Sequence, residues 1–294
     1  MKGKGLDIVV PIALVHDCQY PVVIDPASKR IEPSSFHWVL NPPDTIALEQ
    51  ALRIKDRFPG SRIRGICICP PVLEGILREC LAAGADKVVR VWEEGAQEAD
   101  PHGIAVILAA TIRTWPFHLI LAGGRRADLE HGQTGPILAE LLGLRQVANA
   151  RSIEPRPDSG EVRIEQRLSG KILTLSCPLP ALVTVDKGPM LRYPKFPDRR
   201  RAEGAAIPCL GLDSIGLTEI PSPLIRLERV TPPKPKRRSA LGATAGLSAV
   251  ARFQRIVSGG TPARRDGNLH HCPDRQSALK VARHLLDEKL VTLP

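Results

Sequence analysis

The apolar run Leu119-Ile120-Leu121-Ala122 and the segment after it, as far as Gly135, constrain this chain more than any other part. The run meets the paired glycines Gly123 and Gly124, crosses a polar loop and enters a helix through Gly132-Gln133-Thr134-Gly135. A helix entered this way offers unpaired N–H groups and the positive end of its dipole to an anion. Glycines remove the Cβ atoms that would keep a phosphate off the backbone. The pattern points to a nucleotide or phosphate site, with an ordinary strand-to-helix turn as the bland alternative. It has neither the lysine of a Walker A loop nor GxGxxG spacing.

Apolar, β-branched runs at residues 8–15, 62–69, 87–92 and 117–122 alternate with amphipathic segments at 44–58, 71–83, 104–115 and 134–142. This alternation predicts an α/β fold, a mostly parallel sheet flanked by helices, Rossmann-like. In the first helix Asp44, after Pro42-Pro43, reads as the N-cap, and Pro59-Gly60 ends it. Ligands of such sheets lie beyond the carboxyl ends of the strands, where Asn41, Cys69 and Gly123 emerge. Strand-like runs at 146–153, 161–169, 171–177 and 181–186 have short connectors and read as an antiparallel extension, with a hairpin loop at 155–160. Residues 187–203 read as a loop rich in proline and basic residues.

The net charge of +10 is concentrated in the tail: 14 Lys and Arg against 5 Asp and Glu from residue 226 onward, against 27 and 26 before it. Pro232-Pro233-Lys234-Pro235-Lys236-Arg237-Arg238 excludes a regular helix, residues 240–250 are rich in small side chains, and a final helix starts near Asp274. One helix after such a strap cannot build its own core, so it is expected to dock on a second polypeptide. The domains are therefore read as 1–225 and 226–294. With Phe253 the one aromatic of the tail, the basic excess reads as a solvated or partner-facing arm and not as a nucleic-acid site.

Seven cysteines form no CxxC pair, and Cys67 and Cys69 are read as facing opposite sides of a strand. His270-His271-Cys272 lacks a fourth ligand at helical or turn spacing, so no metal is expected. No apolar run is long enough to cross a bilayer and no signal peptide is evident, so a cytoplasmic location without membrane insertion is expected. There is no nucleophile–base pair, HExxH or spaced carboxylate pair, hence no catalytic residue to assign.

Four stretches resemble the β subunit of electron transfer flavoprotein. They are Asn41-Pro42-Pro43-Asp44-Thr45-Ile46-Ala47-Leu48-Glu49-Gln50-Ala51, the junction Ala82-Ala83-Gly84-Ala85-Asp86-Lys87, the loop from Gly123 to Gly135 ending in Gln-Thr-Gly, and Leu179-Pro180-Ala181-Leu182-Val183-Thr184 with Arg192-Tyr193-Pro194 after it. Ser258-Gly259-Gly260 ahead of a terminal helix also fits. The resemblance implies an α/β domain binding AMP and an arm wrapped on an α subunit. It further implies an FAD held chiefly by that subunit, which carries electrons from dehydrogenases to a quinone oxidoreductase. By the same resemblance Asn41 and Pro42 meet the adenosine, and Pro11 and Ala13 line the base with Ile68 or Cys69 beneath. Gly123, Gly124, Arg125, Asp128, Gly132, Gln133 and Thr134 cradle the phosphate, and Tyr20 or Asp17 approaches the flavin.

The chain departs from the family pattern in two places. Leu129-Glu130-His131-Gly132 replaces a more acidic stretch, and Arg125 and Arg126 add charge that suits more phosphate than AMP has. Lys187-Gly188-Pro189-Met190-Leu191-Arg192-Tyr193 replaces the family's partner-recognition loop, with Met190 or Leu191 as its apolar anchor and a specialised dehydrogenase as the expected partner. One alternative places a second FAD in the nucleotide site of a dimer that bifurcates electrons from NADH. The other is a stand-alone nucleotide-binding or nucleotide-hydrolysing protein, from a faint likeness of Ser258-Gly259-Gly260-Thr261 to an ATP pyrophosphatase loop.

Overall fold

The computed structural model describes residues 5–25, 27–28, 31–96, 99–168, 170–226 and 228, with positions 248, 250 and 279. Contacts divide the chain into units Met1–Val230 and Thr231–Pro294. The proline-rich strap, the terminal helix near Asp274, Ser258–Thr261 and His270–Cys272 lie outside the described residues.

Seven strands form one parallel sheet: β1 (Asp7–Ile12), β4 (Arg62–Ile68), β5 (Lys87–Val91), β6 (Leu119–Gly123), β7 (Arg145–Val147), β11 (Ala181–Val185) and β12 (Cys209–Leu210). Their order is β12-β5-β4-β1-β6-β11-β7. The chain runs outward from β1 to β4 and β5, then returns to β6 on the other side of β1. The order therefore reverses between β1 and β6, and a crevice opens beyond their carboxyl ends. Helices α1 (Pro42–Arg57) and α2 (Glu74–Ala83) cover one face, where Ile8, Val10 and Ile12 pack with Leu48, Ala51 and Leu77. Helices α3 (Pro101–Arg113) and α4 (Thr134–Leu142) cover the other, where Val9, Ile66 and Ile120 pack with Leu108, Ile112 and Leu138. Both faces are apolar, which is why these strands read as continuous hydrophobic runs.

Strands β8 (Ala150–Arg156), β9 (Glu161–Leu168) and β10 (Lys171–Pro178) make a separate antiparallel sheet. The expected extension is thus present but shorter than read. Residues 146–153 divide into β7 and β8, and β11 runs parallel to β6 and β7 in the main sheet. The run 8–15 also divides: β1 stops at Ile12, and β2 (Leu14–His16) leaves to pair antiparallel with β3 (Trp38–Leu40).

A further correction concerns 187–203, which is not all loop: α5 (Phe196–Glu203) closes it, with Ala202 its one buried residue. Cys67 and Cys69 lie in the same core beneath α1 and α2, as residues two apart in a strand must. Among the described residues no group of three His, Cys, Asp or Glu is placed to hold a metal, and no helix is long and apolar enough to cross a membrane.

Candidate functional site

The crevice between β1 and β6 is built around the first turn of α1. Asn41, not Asp44, is the residue before that helix, because Pro42 and Pro43 occupy its first two positions, where a missing N–H costs nothing. This places Asp44 on the apolar stripe with Leu48 and Ala51, a buried acid that must find N–H partners. It finds two: Oδ2 accepts from Ala13 N at 2.7 Å and Oδ1 from Gly123 N at 3.0 Å. One carboxylate thereby ties together the ends of β1 and β6 at the point where the strand order reverses. Burial outweighs these hydrogen bonds and pushes the Asp44 carboxyl up to about 6.

Asn41 fixes the loop after β6. Its Nδ2 donates to Arg125 O at 2.9 Å and its Oδ1 accepts from Ala127 N at 3.0 Å. Its own N–H donates to Ala13 O at 2.9 Å. The side chain is 1% exposed, so its hydrogen bonds serve the loop. Replacing Asn41 with Ala is expected to cost about 2 kcal/mol in urea unfolding, from two lost buried bonds, and to speed hydrogen exchange of the loop amides after β6. Unchanged exchange would show that the loop holds its shape without this clamp.

Beyond the clamp the loop satisfies itself. Gly124 N donates to Val185 O at 2.6 Å. Arg125 pairs with Asp186 at 2.9 Å and with Glu130, and Arg126 forks onto Asp128 at 3.0 and 2.7 Å while reaching Leu14 O. The extra charge read from Arg125 and Arg126 is therefore balanced by Glu130 and Asp128 of the loop and by Asp186, which follows β11. What stays open is backbone. The N–H groups of Gly132, Gln133, Thr134 and Gly135 have no partner among the described residues, and the first turn of α4 carries no acid. An anion at this helix end meets free donors and the helix dipole together.

The chain belongs to the electron transfer flavoprotein family. The family model described as electron transfer flavoprotein domain matches residues 31–208, more than half of the chain. Electron transfer flavoprotein subunit beta of Bacillus subtilis is 29% identical over 233 residues, covering 78% of this chain and 89% of the relative. Protein FixA of Azotobacter vinelandii is 28% identical over 228 residues, covering 74% and 81%. The mitochondrial subunit beta of Arabidopsis thaliana is 29% identical over 232 residues, covering 79% and 91%.

In this electron transfer flavoprotein subunit the residues singled out from sequence fall into three groups. Ala13, Asn41, Gly123, Gly124, Arg125 and Asp128 surround one crevice through the bonds above, with Pro42 exposed beside them. Gly132, Gln133 and Thr134 form the open helix entrance. Pro11 and Cys69 are buried in the sheet, and of the pair Ile68 and Cys69 it is Ile68 that packs on the α3–α4 face, while Cys69 turns into the core under α1 and α2. Tyr20 is half exposed and stacks on His37, with ring centroids 4.2 Å apart. Asp17 N donates to His37 O at 2.7 Å.

Sequence reasoning missed the neighbours of the helix entrance. A cavity of about 320 Å³ adjoins Gly132 and Gln133 and is lined also by Asp100, His102, Ile137 and Leu224. Asp100 caps α3 through Gly103 N at 2.8 Å and holds Leu224 N at 2.8 Å, which fixes the far wall. The one available signal was Asp100-Pro101 ahead of the third helix, a cap followed by proline at the first helical position.

Proposed function

We propose that this chain is the β subunit of a heterodimeric electron transfer flavoprotein, with AMP bound structurally at the entrance of α4. The open N–H groups of Gln133 and Thr134 at the strand-order reversal carry this reading. A single phosphate suits a site whose arginines are already paired and whose free donors are backbone amides at one helix end. The adenosine would rest over Pro11 and Ala13 at the end of β1, with Ile68, which packs on the α3–α4 side, beneath. Asn41, Asp44 and Asp128 act by holding the loop. The FAD lies at the interface with an α subunit that holds most of it, and it supplies the electron-transfer chemistry when bound. Electrons pass from a dehydrogenase to a quinone oxidoreductase; the chain acts as a carrier subunit and not as an enzyme.

Residues 1–225 are the nucleotide domain and 226–294 the arm that docks on the α subunit. The antiparallel sheet supports a second contact with that subunit, since Leu168 on β9 and Leu173 on β10 are exposed on the same face. The loop around Met190 and Leu191 faces the dehydrogenase. The protein works in the cytoplasm, without membrane insertion and without nucleic acid.

The cavity beside Gly132 favours one second reading, in which a second FAD replaces AMP. Co-expression with an α subunit and release of bound nucleotides from the purified heterodimer separates the two. One FAD and one AMP per heterodimer is the expected result. Two FAD would establish the second reading, and a nucleotide-free β subunit would overturn both.

A further inference from the structure

The segment from Ile220 to Ile225 crosses the first turn of α3 and ends beside the entrance of α4. Its Ile220 Cδ1 lies 3.3 Å from the place of a Cβ at Gly95, and Pro221 O lies 3.5 Å from that of a Cβ at Gly103. Leu224 and Ile225 then line the cavity of about 320 Å³ together with Gly132, Gln133 and Ile137. The open N–H groups of α4 therefore look onto a space that this segment walls.

Apolar burial does little to keep the wall in place, since Leu224 and Ile225 are 73% and 50% exposed. Asp100 fixes it instead. Oδ1 caps α3 through Gly103 N at 2.8 Å, while Oδ2 accepts from Leu224 N at 2.8 Å and from Ile225 N at 3.1 Å. Among the described residues, 218–225 make no other hydrogen bond. Burial opposes the charge of Asp100, but the amides of Gly103, Leu224 and Ile225 and the nearby His102 hold its carboxyl below the ordinary value. The bonds to the segment are thus charge-assisted at neutral pH. His102, also in the lining, has a buried Nδ1 without a partner among the described residues, a polar atom that a ligand or water in the cavity would complete.

We propose that Ile220–Ile225 is a lid on the nucleotide site, latched by Asp100, and that its opening sets how fast the nucleotide enters and leaves. The inference rests on the nucleotide reading above and adds a kinetic gate to it. Asp100 is a positioning residue, acting on the ligand through Leu224 and Ile225. A gate differs from a wall contact in its kinetics. Freeing a gate speeds entry and exit together, whereas losing a contact speeds exit alone.

The test uses the flavin-loaded αβ heterodimer carrying radiolabelled AMP. Release is followed after dilution into excess unlabelled AMP, and uptake by the AMP-depleted heterodimer is followed by rapid filtration. Asp100→Asn keeps a capping side chain for α3 and loses the oxygen that Leu224 N and Ile225 N share. It should speed release and uptake by about tenfold each, and hydrogen exchange at the amides of Leu224 and Ile225 by a similar factor, with Leu108 and Ile112 in α3 unchanged. Leu224→Ala with Ile225→Ala removes the wall side chains and keeps the latch, so exchange in the segment should stay slow while release quickens. Wild-type rates in Asp100→Asn would overturn the gate, and so would faster release with unchanged uptake. Unchanged exchange would overturn the latch. Should the heterodimer hold FAD in place of AMP, the same two rates are read with FAD and decide the gate. A heterodimer that holds no nucleotide would sink the nucleotide reading and the gate with it, whereas a loaded one with unaltered rates sinks the gate alone.

Discussion

Replacing Gly123 with alanine is expected to lower stability by about 3 kcal/mol and, on the proposed reading of the crevice, to abolish AMP retention in the purified heterodimer. A Cβ at this position would stand 2.1 Å from Asp44 Oδ1, 2.9 Å from Asp44 N and 2.9 Å from Pro43 Cβ. Two of those atoms belong to backbone or to a proline ring at the start of α1 and cannot swing aside. The third can move only by giving up the bonds to Ala13 N and Gly123 N, which leaves two amides unpaired. In a unit of this size such a loss corresponds to a fall in Tm of roughly 10 °C. The neighbouring substitution is the control. At Gly124 the nearest atoms to a Cβ are Asn149 Oδ1 at 3.2 Å and Val185 O at 3.4 Å, so Gly124→Ala should cost less than about 1 kcal/mol. Equal behaviour of the two variants in thermal unfolding would show that the brace at Asp44 does not set the geometry.

The second large effect is the pH response of Asp44. Its carboxyl rises from the ordinary aspartate value of 3.8 to about 6 in the folded chain, chiefly through burial. A raised value means that the folded state holds the proton more tightly than the unfolded chain. The stabilising contribution is therefore fully present below about pH 4 and is lost as pH rises through about 6. Its size is about 3 kcal/mol. In Asp44→Asn this component vanishes, so the stability difference between variant and wild type should change by about that amount between pH 4 and pH 7 in urea titrations. A constant difference across the range would refute the assignment.

Much of the architecture was legible because it rests on periodicity. The four early strands are apolar on both sides, and Thr134–Leu142 begins and ends where its glycines place it. What escaped depends on groups far apart in sequence. The split of the first strand at Ala13 follows from an N–H taken by a residue 31 positions later. Helix α5 has a single buried side chain and a proline in its first turn, so it leaves no amphipathic pattern to read. The charge of Arg125 and Arg126 was visible, but the positions of Asp186 and Leu14, which pair with it, were not. Asp44 reads as a cap because the prolines before it resemble a loop, although an acid in register with Leu48 and Ala51 already signals a buried brace.

Helix α1 is also a gauge. Asp44 in its first turn sets the crevice between β1 and β6, and Glu49 and Asp56 further along hold Arg192, next to Tyr193. At 1.5 Å per residue, Asp44 and Asp56 are about 18 Å apart along one rod. Adding a single residue between them would advance the later anchors by about 1.5 Å and turn them by about 100°, so that no shift of the rod could satisfy both ends. The spacing between the brace that joins β1 to β6 and the loop held by Arg192 is thereby written as a residue count, free of any dependence on loop length.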